Sequence, residues 1–169
     1  GTPPTEPIIF HENGLTFSAD VLKGHKTGFF FDQRENRAAV RELSAGCDVL
    51  DMFAYSGGFS VYAAAGGAKS VLSVDISEPA LLSAQENFAL NQANPNVSTC
   101  QHRIQAGDAF EIMDDLRQQG RQFDLVIVDS PSFAKSSAEV DRALASYGKL
   151  ARLATELIVP GGKLVMASC

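Results

Sequence analysis

From Cys47 to Cys169, short β-prone runs alternate with stretches patterned for helices. The runs are "CDVLDMF" (47–53), "SVLSVDI" (70–76), "TCQHRIQ" (99–105), "FDLVIVD" (123–129) and "KLVMASC" (163–169), three of them strongly apolar. Between them lie helix candidates near 58–65, 77–91, 109–119 and 137–158. Strands joined through helices run parallel, with right-handed crossovers. The pattern therefore predicts an α/β fold with a doubly wound, mostly parallel sheet.

The segment before it is built differently. "PIIF" and "LTFSADV" flank His11-Glu12-Asn13-Gly14, and Asn-Gly between β-prone runs predicts a hairpin over residues 8–21. The stretch "LKGHKTGFFFDQRENRAAVREL" passes from a glycine-punctuated loop into a helix of about 12 residues ending near Leu43. The expected organisation is a linker over 1–7, the hairpin, loop and first helix over 8–43, and a core over 44–169. At 169 residues, 45% of them hydrophobic, the chain has the apolar content for one buried core.

A formal charge of −6 argues against a surface that attracts a phosphate backbone all over, so any grip on nucleic acid must be local or supplied elsewhere. Cys47, Cys100 and Cys169 are odd in number and lack a C-x-x-C pair, which speaks against a disulfide framework and against a metal site. No run approaches the roughly 20 apolar residues of a membrane span, and "GTPPTEP" has no signal-peptide pattern. The expectation is a cytoplasmic protein with reduced thiols.

In a doubly wound sheet the ligand lies beyond the carboxyl ends of the strands, where strand order reverses. Residues able to do chemistry collect at those ends. The first run closes with Asp51, Phe53, Ala54, Tyr55, Ser56, Gly57 and Gly58; two glycines let backbone approach a ligand, and the following helix opens with free amides. A plain strand-to-helix turn would use the same glycines. The second run ends in Asp75-Ile76, 18 residues after Gly57, the spacing of an acid that accepts hydrogen bonds from ribose hydroxyls. Ser77, with Pro79 early in the helix, already supplies a cap there. After the third run, Asp108 and Ala109 open the next helix. Asp108 is either its cap or an acceptor for an adenine amine, with Ile76 or Phe110 against the ring. "YSGGFS" lacks the G-x-G-x-x-G spacing of a dinucleotide site, so a phosphate-free nucleoside such as S-adenosylmethionine fits better.

The fourth run ends Asp129-Ser130-Pro131-Ser132-Phe133: a carboxylate, a rigid turn and an aromatic face suited to holding a flat substrate. The fifth ends in Cys169, either a small buried residue or a nucleophile on the same rim as Asp129. In the loop before the first helix, Lys26, Thr27, Gln33 and Arg34 are candidates to meet a carboxylate of the cofactor, and Arg34 is expected to matter more than Arg37.

"GHKTGFFFDQRENR", "DMFAYSGGFS", "VDIS" and "VDSPSF", followed by a strand ending "SC", resemble the class I S-adenosylmethionine-dependent methyltransferases of the 23S ribosomal RNA cytosine-C5 type, the large-subunit methyltransferase I family. The likeness covers about residues 8–169. It implies a Rossmann-like core, S-adenosylmethionine as cofactor, and methyl transfer to C5 of a cytosine in ribosomal RNA. It also implies Cys169 as the thiol that adds to the ring and Asp129 at the base edge, with Ser130, Pro131 and Phe133 against the substrate. Members carry an N-terminal RNA-binding PUA domain and further strands, so the chain is expected to be a catalytic core. One departure stands out. The family has Asp-Pro-Pro-x-Phe where this chain has Ser130, which softens the turn and adds a donor. Two other readings remain: a methyltransferase acting on another RNA position, an exocyclic amine or a small molecule, and a cofactor-binding module without activity.

Overall fold

The computed structural model describes residues 6–21, 28–133 and 139–168. Strands β1 (Ile8–Glu12) and β2 (Leu15–Ala19) form an antiparallel hairpin. Its two-residue loop is Asn13-Gly14, with φ of 50° and 78°, the pair of left-handed residues that such a loop demands. Leu15, Phe17 and Ala19 alternate into the core while Thr16 and Ser18 stay half-buried. A single turn of 3-10 helix (Phe31–Gln33) leads into α1 (Arg34–Leu43), where the sequence places its first helix.

The remaining elements alternate: β3 (Asp48–Met52), α2 (Gly58–Ala65), β4 (Ser70–Asp75), α3 (Glu78–Leu90), α4 (Pro95–Thr99), β5 (Gln101–Ala106), α5 (Ala109–Gln118), β6 (Phe123–Ser130), α6 (Val140–Glu156) and β7 (Ile158–Ser168). The five later strands form one parallel sheet in the order β5-β4-β3-β6-β7. Strand order therefore reverses between β3 and β6, and a crevice opens there at the carboxyl ends. Two cores flank the sheet. One holds the hairpin and α2, with Phe17, Tyr62 and Val49; the other lies beneath α5 and α6, with Leu50, Met113, Val126 and Leu150. Helix α2 is buried from Phe59 to Ala65, as expected of an apolar helix between a sheet and other helices.

Two boundaries differ from the sequence pattern. Asn94 and Pro95 start an extra helical turn, α4, because the Asn94 side chain accepts from Asn96 N while proline occupies the first turn. Strand β7 starts at Ile158 rather than Lys163. Its pairing jumps from Phe123–Ile158 to Leu125–Lys163, so the Val159–Gly162 stretch bulges and only the later part is regular. Among the described residues no helix is long and apolar enough to cross a membrane.

Candidate functional site

A cavity of about 250 Å³ lies at the carboxyl ends of β3, β4 and β6, lined by the turn after β3, by Asp75, by Asp129-Ser130-Pro131 and by the aromatic pair Phe29-Phe30. The turn after β3 is its most unusual wall. Phe53, Tyr55 and Gly57 all have left-handed φ, at 62°, 49° and 77°. A non-glycine residue in that region costs on the order of 1 kcal/mol or more, so two of them in three positions persist only because their surroundings hold them. Ala54 N donates to Val74 O at 2.9 Å, Tyr55 N to Asp75 Oδ2 at 2.9 Å and Gly57 N to Ala54 O at 2.8 Å. From α3, Asn87 Nδ2 donates to Ser56 O at 2.9 Å. The result is a strained backbone loop presented at the start of α2.

The glycines make that loop possible. A Cβ on Gly57 would lie 2.7 Å from Ala84 Cβ, and one on Gly58 would lie 3.2 Å from Arg37 Cδ and 3.5 Å from the Phe29 ring. Neither position has room for a side chain without movement, so backbone forms the wall there.

Asp75 closes β4 with both oxygens occupied, Oδ2 by Tyr55 N and Oδ1 by Ser77 N at 2.9 Å, while Ser77 caps α3 through Ala80 N at 3.3 Å. Each carboxylate oxygen keeps a further lone pair, so Asp75 can accept from a ligand while it pins the loop. Asp129 is half-buried in the cavity wall. Burial raises its carboxyl above the ordinary range and Asp32 adds to the rise, while the Arg37 guanidinium opposes it.

Arg37 is the residue whose importance the sequence understated. It is 2% exposed and meets Glu12 through Nε and Nη2, both at 2.9 Å. Its Nη1 donates to Phe30 O at 2.8 Å, and its guanidinium lies 4.5 Å from the Phe29 ring centre. Tyr62 Oη donates to Glu12 Oε1 at 2.9 Å. Burial, then Glu12, push that phenol up to about 12, so it stays a donor. Arg34 instead points outward, 59% exposed and paired with its neighbour Glu35. Arg37 lines the cavity and Arg34 does not, a placement that runs against the expected ranking of the two arginines, because α1 turns its buried face, not its first residue, toward the hairpin.

Gln33, Phe53, Ala54, Tyr55, Ser56, Gly58, Asp75, Asp129, Ser130 and Pro131 share this one cavity. Gly57 stands behind it as the N-cap of α2. Asp51 has no exposed surface and sits beneath the loop rather than in the cavity, bonded by Ser60 Oγ at 2.5 Å. Three residues lie apart on the β4–β5 side: Ile76 is 77% exposed, and Asp108 caps α5 through Phe110 N (2.9 Å) and Glu111 N (3.2 Å), ahead of the buried Ala109. Phe133 leaves the β6 turn to pack edge-on against Tyr147 at 4.8 Å, whose hydroxyl spans Pro131 O and Phe133 N, each at 3.4 Å. Lys26, Thr27 and Cys169 lie outside the described residues. Cys47 and Cys100 precede β3 and β5 at the far end of the sheet, with thiols raised by burial.

Two buried polar atoms at this end have no partner among the described residues: Asp51 Oδ1 and Ser130 Oγ. A backbone cradle closed to side chains, an acid at the end of β4, aromatic rings and an unused hydroxyl fit a nucleoside-bearing cofactor without phosphates.

Known proteins agree with that geometry. A family model described as S-adenosylmethionine-dependent methyltransferase matches residues 2–169. A "Ribosomal RNA large subunit methyltransferase" of Deinococcus radiodurans is 51% identical over 164 residues, 97% of this chain and 39% of the relative. A "Ribosomal RNA large subunit methyltransferase I" of Aeromonas salmonicida is 41% identical over 170 residues, all of this chain and 42% of the relative. The chain thus spans about two fifths of these relatives. Among solved structures, a methyltransferase complexed with S-adenosylhomocysteine superposes with a TM-score of 0.83 at 30% identity, over 99% of this chain and 43% of that one. A family match that runs the length of the sheet and the cavity leads to one assignment: the chain belongs to the S-adenosylmethionine-dependent methyltransferases, with S-adenosylmethionine as its methyl donor.

Proposed function

We propose that this chain is the catalytic core of a ribosomal RNA methyltransferase that modifies C5 of a cytosine through a cysteine adduct. The observation that supports the reading is that Asp75, the strained loop Phe53–Gly58 and the Asp129-Ser130-Pro131 turn meet at one cavity, a lining suited to a nucleoside cofactor with a planar substrate beside it. Relatives at 51% and 41% identity bear ribosomal RNA methyltransferase names. Asp75 and the loop 53–58 would hold the cofactor, which supplies an electrophilic methyl group. The ring of Tyr55, edge-on to Phe30 at 5.5 Å, adds an aromatic wall.

C5 of cytosine becomes nucleophilic only after a thiolate adds to C6. Cys169 is proposed as that thiol. It follows Ser168, whose backbone pairs with Ser130 at the carboxyl end of the sheet, one residue beyond Asp129. Asp129, with its raised pKa, would hold the base edge and share a proton with N3. The base must be unstacked to reach such a cavity.

Two measurements test the reading. Asp75→Ala should abolish S-adenosylmethionine binding in calorimetry, and unchanged binding would remove the cofactor assignment. With ribosomal RNA carrying 5-fluorocytosine, in which fluorine stands where a proton must leave, the protein should accumulate a covalent RNA adduct and Cys169→Ser should not. An adduct formed by the serine variant would move the nucleophile elsewhere.

A further inference from the structure

Three carboxylates share one face of the sheet at the floor of the cavity. Asp51 on β3 is in register with Ser73 on β4 and with Ile127 on β6. Asp75 and Asp129 lie two residues farther along those neighbouring strands, and a two-residue step returns a side chain to the same face. Two rises of about 3.3 Å and a strand spacing of about 4.8 Å put each roughly 8 Å from Asp51, backbone to backbone. Asp75 and Asp129 line the cavity; Asp51 is sealed below them. Its Oδ2 accepts from Ser60 Oγ, while its Oδ1 is buried and unpartnered among the described residues. A carboxylate in that position is poorly solvated and flanked by two like charges, which favours the protonated form. The Arg37 cation offers little relief, because Glu12 already pairs with it.

The methyl donor and its product differ by one charge: the sulfonium is a cation, and loss of the methyl leaves a neutral thioether. Resting on the cofactor assignment above, we propose that the trio Asp51, Asp75 and Asp129 makes the cavity selective for the cationic donor over the demethylated product, with the Asp51 carboxyl releasing its proton to solvent as the cation enters. The balance is simple: one proton leaves the carboxyl and enters the buffer, and one cation takes its place in the cavity. Burial, with help from Asp129 and Asp75, raises the Asp51 carboxyl to about 7, whereas the Ser60 hydrogen bond pulls it down. The groups facing Asp51 are thus Ser60 from α2, Ser73 and Asp75 from β4 and Asp129 from β6. Arg37 from α1 and Asp32 from the preceding 3-10 turn act on Asp129. A group that must ionise to receive a cation makes cation affinity rise with pH up to its free pKa. A neutral-sulfur ligand imposes no such demand.

The test is calorimetry of S-adenosylmethionine and S-adenosylhomocysteine between about pH 5.5 and 7.0, below the ordinary α-amino pKa, in two buffers of different ionisation enthalpy. Donor affinity should rise about tenfold relative to product affinity over that range, and donor binding alone should release a proton. Asp51→Asn should remove both the release and the relative rise. Should that variant not fold, Ser60→Ala removes the bond that lowers the carboxyl and should shift the release to higher pH. Equal pH dependence for the two ligands, or release that survives in Asp51→Asn, overturns the proposal while leaving the cofactor assignment standing. Binding of neither ligand at any pH defeats both.

Discussion

Burying Arg37 against Glu12 takes two full charges out of water, and such a pair holds only while both members are present. Arg37→Ala should leave the Glu12 carboxylate sealed with Tyr62 as its remaining donor and destabilise the fold by about 3–5 kcal/mol in urea unfolding. The double change of Arg37→Met and Glu12→Leu should recover most of that loss, because two apolar groups leave no orphan charge. Arg34→Ala, at an exposed position, should move stability by less than about 0.5 kcal/mol and leave cofactor affinity unchanged. A loss from Arg34→Ala as large as that from Arg37→Ala would undo the assignment of the two side chains. The contrast also shows what a sequence can disclose. Asp75 is legible from its place at the end of an apolar run, a purely local signal. Arg37 is not, because its partner lies 25 residues earlier in the hairpin, and only the folded chain puts the two together.

Helix α3 joins pieces of the protein that its own sequence gives no hint of joining. Asn87 Oδ1 accepts from Ser18 N at 2.8 Å in β2, and Asn87 Nδ2 donates to Ser56 O in the turn after β3. Asn91 repeats the device one turn later, accepting from Thr16 N at 2.9 Å and donating to Thr16 O at 2.7 Å. These amides satisfy the free edge of the hairpin, which would otherwise expose unpaired backbone. Asn87→Ala should leave the Ser18 N–H and the Ser56 C=O without partners, at about 2–4 kcal/mol for the two. Amide hydrogen exchange should then speed up at Ser18 and in the loop 53–57 together. Acceleration confined to α3 would show that the helix does not tie the two elements. The alternation of runs revealed the order of elements and the hairpin, since periodicity and Asn-Gly chemistry are local. Strand order and the bridging amides depend on contacts between residues far apart in the chain, such as Asn87 with Ser18 (69 residues away) and with Ser56 (31 residues away), which no hydrophobic periodicity encodes; the α4 turn is set locally by Asn94 and Pro95.

Across the molecule, one buried hydrogen-bond chain connects the site to the rim of the sheet. It runs from Asp51 Oδ2 to Ser60 Oγ, on to Ser73 Oγ at 2.7 Å and to His102 Nε2 at 2.9 Å, with the His102 ring stacked 3.7 Å from Phe88. Burial acts on its two ends in opposite senses, raising Asp51 to about 7 and lowering His102 to about 4. The signs follow from which state binds more protons. The folded state holds a proton on Asp51 that the unfolded chain gives up above its ordinary pKa near 3.8, so this group's contribution falls as pH rises toward 7. The unfolded chain binds a proton on His102 below 6.5 that the folded state refuses, so that contribution falls as pH drops from 6.5 toward 4. Between those limits the two slopes, each about 1.4 kcal/mol per pH unit at full strength, oppose each other and largely cancel. In Asp51→Asn the histidine slope is left alone, and stability from urea midpoints should rise with pH between about 4.5 and 6.5. In His102→Phe the aspartate slope is left alone, and stability should fall over the same window. Two variants sloping the same way would break the assignment of opposite pKa shifts to the two ends of the chain.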